Sequence, residues 1–160
     1  MNMPISDSFE KLLESFLVSL GHDPIAAKGS GGFEFESGGF NARILLDSTN
    51  PARLVAEVDV RRLDDAEVSH AELLLMLHRL NEAARPTHGW TATIDEENLL
   101  LLSLFLPLAE TDGVALQAVV DDALARAESL GQLVRRFSEP ASAAATVESA
   151  SAPFNPMDRA

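Results

Sequence analysis

Between residues 33 and 60 the large apolar side chains recur at every second position, and this period of two constrains the fold more than any other feature. Phe33 and Phe35 alternate with glutamates, Gly38-Gly39 supplies a turn, and Ser48-Thr49-Asn50-Pro51 supplies another. Such alternation is typical of strands that bury one face and leave the other in water. Three short strands joined by turns therefore predict an antiparallel meander. The predicted outward charges are Glu34, Glu36, Arg43, Glu57 and Asp59.

A helical period replaces the period of two at both ends of the chain. Apolar residues from Phe9 to Leu20 recur three and four positions apart, which places them on one helix face. Asp7 and Glu10 have the spacing of an acidic capping pair, and Gly21 is suited to the left-handed position that ends a helix. A long helix with the same period is predicted from Asp112, its cap, to residue 137.

A further helix is predicted from Ser69 to Leu80, and it is apolar on most of its circumference. Ser69 and Glu72 have the spacing of a capping box, and an unbroken apolar run follows from Leu73 to Leu77. A helix that is covered on one side only does not need such a run, so we expect this one to contact two apolar neighbours. It should end before Pro86, because the residue before a proline disfavours the helical conformation.

The segments 89–94 and 99–106 predict a hairpin, with Asp95 to Asn98 as its turn. The second strand carries leucine on both faces, so it is either central in the sheet or buried against something outside its own monomer. The full order, α-βββ-α-ββ-α, predicts an α+β fold over residues 1–137, with the helices on one twisted antiparallel sheet. Residues 138–160 are rich in Ala, Ser and Pro, and we expect a flexible, disordered tail because they cannot bury enough apolar area.

Composition and charge exclude several classes of function. With 25 acidic against 12 basic side chains the net charge is −13, which repels phosphate backbones and anionic lipid, so we expect neither nucleic-acid binding nor membrane insertion. The absence of cysteine excludes disulfides and thiolate metal sites. No secretory signal is visible, and the longest apolar run, Leu99 to Leu108, is too short to span a bilayer, so we expect a cytoplasmic protein.

No pattern of catalytic or metal-binding residues stands out. The histidines lack the i, i+3 or i, i+4 spacing of a helical metal site. No Gly-x-Ser-x-Gly elbow occurs, and the glycine-rich segment 29–32 precedes a strand, whereas a phosphate cradle needs a helix start. We therefore expect no enzyme activity, no metal and no cofactor.

The chain carries more apolar surface than one face of a small sheet covers. The surplus comes from the first helix, from Leu73 to Leu77 and from Leu99 to Leu106. Two interpretations stay open: these residues fill the core of one chain, or they form a subunit interface together with a groove for a partner's apolar side chains. A third alternative is a small α+β ligand-binding or regulatory domain with an internal apolar pocket.

Three local patterns also point to a family. They are Phe9-x-x-Leu12-Leu13-x-x-Phe16-x-x-x-Leu20-Gly21, then Leu73-Leu74-Leu75-Met76-Leu77-x-x-Leu80-Asn81 ahead of a strand, and then Leu99-Leu100-Leu101-Leu102. With these patterns, residues 5–137 resemble the class I type III secretion chaperones, the Tir-chaperone family. In size and in its Ala- and Leu-rich character the chain is most similar to the multi-effector chaperones of plant-pathogenic bacteria.

This resemblance implies a homodimer that binds the amino-terminal, non-globular segments of secreted effector proteins. It also implies that the dimer keeps them export-competent, delivers them to the secretion ATPase and inner-membrane export components, and hydrolyses no nucleotide. Carried over by position, the effector-binding residues would be Phe9, Leu13, Phe16, Phe33 and Phe35. The dimer interface would comprise Leu74, Leu77, Leu80, Leu102 and Leu104. Phe9 and Leu13 lie at the outer edge of their helical stripe, so we expect them to be partly exposed.

Overall fold

The computed structural model describes residues 5–22, 32–84 and 89–138. Helix α1 (Ile5–Ser19) precedes strands β1 (Gly32–Ser37), β2 (Phe40–Leu46) and β3 (Arg53–Arg62). Helices α2 (Asp65–Val68) and α3 (Ala71–Ala84) are followed by strands β4 (Thr91–Ile94) and β5 (Leu99–Pro107). A 3-10 turn at Leu108–Glu110 leads into helix α4 (Gly113–Ser138). The predicted α+β order is confirmed, with the short α2 added to it.

The strands form one five-stranded antiparallel sheet in the order β1-β2-β3-β5-β4. Ala42, Val58 and Leu102 lie side by side on its helix-covered face, in neighbouring strands. Strand β5 is internal, between β3 and β4, which explains why leucine occupies both of its faces. The hairpin between β1 and β2 turns at Gly38 and Gly39, whose φ values of 60° and 82° favour glycine.

Two apolar clusters join the helices to this sheet, and α4 contributes to both. Helix α1 packs on β2 and β3 beneath the first half of α4, where Leu116 and Val120 lie. Helix α3 packs beside β4 and β5, where Ala127 and Val134 of the second half of α4 cover it. The long α4 therefore holds α1 and α3 on the same face of the sheet.

The helix boundaries differ from the prediction at three points. Helix α1 begins at Ile5, so Asp7 lies in its first turn and is not its cap. The capping box lies at Asp64 and Glu67, which start α2, whereas the predicted pair of Ser69 and Glu72 does not form a capping box. Ser69 instead ends α2, and α3 begins two residues later, at Ala71. The two pairs share the same spacing, so the sequence alone does not distinguish them.

The other helix ends follow the prediction. Asp112 caps α4 by accepting a hydrogen bond from the Ala115 amide at 2.8 Å. Gly21 follows α1 with a φ of 75°, and α3 ends at Ala84, before Pro86. Helix α4 continues to Ser138, one residue into the segment predicted as tail, and residues 139–160 lie outside the described residues. Among the described helices none is long and apolar enough to cross a membrane.

Candidate functional site

Among the residues that the structure describes, strand β1 is an open edge of the sheet. In the described part of the chain it pairs with β2 alone, with Ser37 opposite Phe40 across the two-residue turn. The two residues that flank such a turn exchange hydrogen bonds, and the bonding then alternates along the strand: Ser37 and Phe35 bond to β2, whereas the residue between them and the residue before Phe35 direct their backbone groups outward. Glu34 and Glu36 therefore present their N–H and C=O groups outward along the edge. An extended polypeptide can pair with such a row.

Aromatic side chains lie directly beside this edge, on the helix-covered face. Phe33 and Phe35 are half-buried, and their rings stack with centroids 5.6 Å apart. The ring of Phe35 also contacts Phe16 of α1, at 5.8 Å between centroids. Within the described ranges, the edge of β1 thus combines backbone groups that face away from β2 with a partly exposed aromatic pair. These are two of the five residues predicted to contact effectors.

The three predicted contact residues of α1 lie in the core. Phe9, Leu13 and Phe16 are 1%, 0% and 0% exposed. The expectation that Phe9 and Leu13 are partly exposed is therefore wrong. The reason is that the first half of α4 packs across α1, with Leu116 in the same apolar cluster. Effector contact by these three residues stays a prediction. In the described part of the chain all three side chains are shielded from solvent.

Helix α3 has one buried and one exposed apolar side. Leu73 and Leu77 are buried, whereas Leu74, Leu75 and Leu80 are 44%, 48% and 38% exposed. Part of the unbroken apolar run, Leu73 and Leu77, thus packs into the core of this chain, whereas Leu74 and Leu75 of the same run are exposed to solvent. Of the predicted interface residues, Leu74 and Leu80 lie on the surface. The others, Leu77, Leu102 and Leu104, are buried in the core.

The open face of the sheet carries the predicted charges. Glu34 and Glu36 are exposed there, and Arg43 pairs with Asp59 at 2.8 Å and with Glu57 at 3.5 Å. An apolar row crosses the same face beside this network, from Leu45 through Val55 to Phe105. Phe105 is 47% exposed, and the Arg53 guanidinium lies 5.0 Å from its ring centroid. One arginine amid four carboxylates makes this part of the face acidic.

A cleft of about 440 Å³ separates α3 from α4 above β4. The indole Nε1–H of Trp90 donates a hydrogen bond to the Asp122 carboxylate at 3.1 Å, and Arg126 donates to the same oxygen at 2.6 Å. Leu80 and Leu130 supply part of the apolar wall. Within the described ranges, no group of three or more His, Asp or Glu side chains could hold a metal ion.

One contact beside this cleft was missed by sequence reasoning. The side-chain carboxamide of Asn81, in α3, forms hydrogen bonds with both backbone groups of Ala92, in β4. An asparagine inside an amphipathic helix carries no local signal that it pairs with a strand. The residues meet only because α3 packs beside the edge of the sheet.

Comparison with known proteins agrees with this architecture. The model of the Tir chaperone protein (CesT) family matches residues 11–131. No sequence among the curated proteins matches the chain. Similar solved structures include the ExsC–ExsE complex, with 19% identity, a TM-score of 0.69, and coverage of 82% of this chain and 97% of that one.

Two further structures have the same fold. The HopA1–SchA chaperone–effector complex has 16% identity and a TM-score of 0.65, with coverage of 82% of this chain and 99% of that one. The Yersinia pestis type III secretion chaperone SycH, in complex with a stable fragment of YscM2, has 22% identity and a TM-score of 0.61. That likeness covers 76% of this chain and 98% of the matched chain.

Proposed function

Because this chain belongs to the Tir chaperone protein (CesT) family of type III secretion chaperones, we propose that it binds the amino-terminal, non-globular segments of secreted effectors. It holds each segment extended and export-competent, and delivers it to the secretion ATPase and the inner-membrane export components. Binding and delivery of this kind need no catalysis and no cofactor. The protein acts in the cytoplasm, where effectors are made.

The open edge of β1 is the observation that carries this proposal. An extended effector segment adds to it as a further strand, through the outward backbone groups of Glu34 and Glu36. Alternate side chains of that strand point to opposite faces of the sheet. One set meets the aromatic pair of Phe33 and Phe35, and the other lies on the acidic open face.

Charge supports the same mode of binding. The net charge of −13 keeps the chain soluble while it exposes apolar surface, and favours effector segments that carry Lys or Arg. The structures of similar fold, ExsC with ExsE, SchA with HopA1 and SycH with a YscM2 fragment, are complexes with another protein. Those complexes support a protein partner for this chain as well.

The exposed leucines of α3 support a homodimer. Leu74 and Leu75 form an apolar strip on the side of α3 that faces away from the core. A second copy of α3 buries this strip, and the resulting dimer carries one β1 edge on each subunit. Each edge can bind part of one effector, so the dimer holds a long segment at two places.

The experiment substitutes Glu34 by proline, which removes one outward N–H, and compares it with Glu34→Gln, which keeps the N–H and removes the charge. Proline is tolerated on an edge strand where its N–H faces solvent, so both variants should fold. We expect Glu34→Pro to lower effector capture at least tenfold, equivalent to about 1.4 kcal/mol, whereas Glu34→Gln stays within a few fold. Capture is measured by pull-down from the native host with quantitative mass spectrometry.

Effectors are defined in this experiment as proteins secreted by the native host but not by cells that lack the secretion apparatus. Normal capture by a folded Glu34→Pro variant would contradict strand addition at β1. A chain that retains a small molecule and captures no effector would support the alternative, in which the cleft beside Trp90 holds a ligand. Native mass spectrometry of protein purified from the host detects that outcome.

A further inference from the structure

In the second edge strand of the sheet, β4, a side chain occupies the outward backbone groups of one residue, Ala92. The Asn81 Nδ2 amide donates a hydrogen bond to the Ala92 carbonyl at 2.8 Å, and the Ala92 N–H donates one to Asn81 Oδ1 at 2.7 Å. A carboxamide has the same donor and acceptor as a peptide group. Asn81 therefore satisfies Ala92 in the way that a neighbouring strand would.

The register of the hairpin shows that Ala92 is the residue that an added strand would need. The Asp95 N–H donates to the Leu99 carbonyl at 3.0 Å, which sets the hydrogen-bonding alternation between β4 and β5. By that alternation Thr93 bonds to β5, whereas Ala92 and Ile94 direct their backbone groups outward. Asn81 thus occupies one of the two outward positions in this four-residue strand.

We infer that Asn81 closes the β4 edge to strand addition and leaves β1 as the edge that accepts an extended partner. A strand arriving at β4 would have to displace the carboxamide, which would then lie half-buried between α3 and β4 without its two hydrogen bonds. Strand β1 offers its outward groups at Glu34 and Glu36 without this cost. The closure of β4 follows from the geometry alone, whereas the direction of an effector to β1 rests on the proposed function.

Removal of the carboxamide should make the β4 edges of two copies of this chain pair with each other. In a symmetric antiparallel pair, the outward groups of Ala92 in one copy meet those of Ile94 in the other. Thr93 then lies directly opposite Thr93 of the second copy, as a non-hydrogen-bonded pair. Side chains in such pairs lie close enough for a disulfide to form between cysteines. The chain has no cysteine of its own, so a single introduced cysteine reports this pairing.

The test compares oxidation of full-length Thr93→Cys with oxidation of Thr93→Cys that also carries Asn81→Ala. Alanine suits the interior of α3, so the double variant should fold, which its melting curve and Trp90 emission verify. We expect at least a tenfold higher initial rate of disulfide-linked dimer formation with Asn81→Ala. At a concentration too low for the β4 edges to pair, amide exchange of Asn81→Ala should also show that the Ala92 N–H loses its protection while β5 keeps its own. An unchanged cross-linking rate would overturn the inference.

Two controls separate edge pairing from other effects. His78→Ala, at an exposed position of α3, should leave the Thr93→Cys rate unchanged. Val114→Cys, at an exposed position of α4, should form disulfide-linked dimers at the same rate whether position 81 carries Asn or Ala. If Asn81→Ala does not fold, Asn81→Ser takes its place with the same expected rate. The assay involves no effector, so it can succeed while the Glu34→Pro experiment fails, and the two failures stay distinguishable.

Discussion

Gly113, the first residue of α4, lies directly against Ser15 of α1. A methyl group at position 113 would lie 2.8 Å from the carbonyl carbon of Ser15 and 2.9 Å from the amide nitrogen of Phe16. The two helix backbones approach so closely here that only glycine fits. This contact helps to hold α4 across α1, where it covers the apolar side chains of α1.

Gly113→Ala should therefore destabilise the domain. The added methyl group meets backbone atoms that cannot rotate away, so α4 must shift relative to α1. We expect a loss of about 1–3 kcal/mol in the free energy of unfolding, the usual cost of overpacking. Urea unfolding followed by circular dichroism measures it.

Gly131→Ala is the matched control in the same helix. A methyl group there would meet Val60 Cγ1 at 3.6 Å, which is an ordinary contact. Because alanine favours the helical conformation, this variant should gain about 0.5–1 kcal/mol. Equal stability of the two variants would show that α4 does not press on α1 at Gly113.

Leu13→Ala tests whether α1 belongs to the core. Leu13 is fully buried, so its truncation should cost about 2–5 kcal/mol of unfolding free energy. Val18, in the same helix, is 61% exposed, and Val18→Ala should change stability by less than about 0.5 kcal/mol. Denaturant titrations compare the two. A Leu13→Ala variant as stable as Val18→Ala would instead place Leu13 on a binding surface.

The exposed strip of α3 predicts the oligomeric state. Light scattering at micromolar concentration should give about 34 kDa, twice the 17.2 kDa of one chain. Leu74→Ser combined with Leu75→Ser should lower this to the monomer mass with little loss of monomer stability, because both side chains are about half exposed. Val114→Ser, at an exposed position of α4, should remain a dimer. A wild-type monomer would contradict the homodimer.

Asp47 should make stability depend on pH at the acid end. Its carboxylate accepts hydrogen bonds from the Thr49 hydroxyl at 2.7 Å, the Thr49 amide at 2.8 Å and Arg53 at 2.6 Å. The bonds from Thr49, followed by the interaction with Arg53, lower the pKa of Asp47 from 3.8 to about 2. The pKa of Asp47 is therefore lower in the folded state than in the unfolded state. Asp47 consequently contributes its full stabilisation above pH 4, and this contribution is lost as pH falls towards 2.

Asp47→Asn should consequently be less stable than the wild type at pH 7, and the difference should shrink between pH 4 and pH 2. Urea midpoints at pH 7, 4 and 2.5 measure this trend. Asp121→Asn, at an exposed position of α4, serves as the control and should follow the wild type throughout. A stability difference that stays constant down to pH 2.5 would be inconsistent with the low pKa of Asp47.

Much of the fold could be predicted because the signals are local. The alternation from Phe33 to Val60 determines which face of the sheet each side chain lies on. The structure places Glu34, Arg43 and Glu57 on the open face, as predicted. Gly38 and Gly39 occupy the turn because the turn needs positive φ, which glycine adopts without the steric cost of a Cβ, a property of the residue type itself. Such features depend on neighbours a few residues away in the sequence.

The tertiary structure decided which apolar residues are covered and which edge of the sheet is open. The period of α1 shows that Phe9 and Leu13 share a face, but their burial depends on α4, more than 90 residues later in the chain. Asn81 is likewise an ordinary helical residue until packing brings it to Ala92. Periodicity determines the direction of a side chain within its own element. The partner in that direction depends on how the elements pack, which local sequence does not encode.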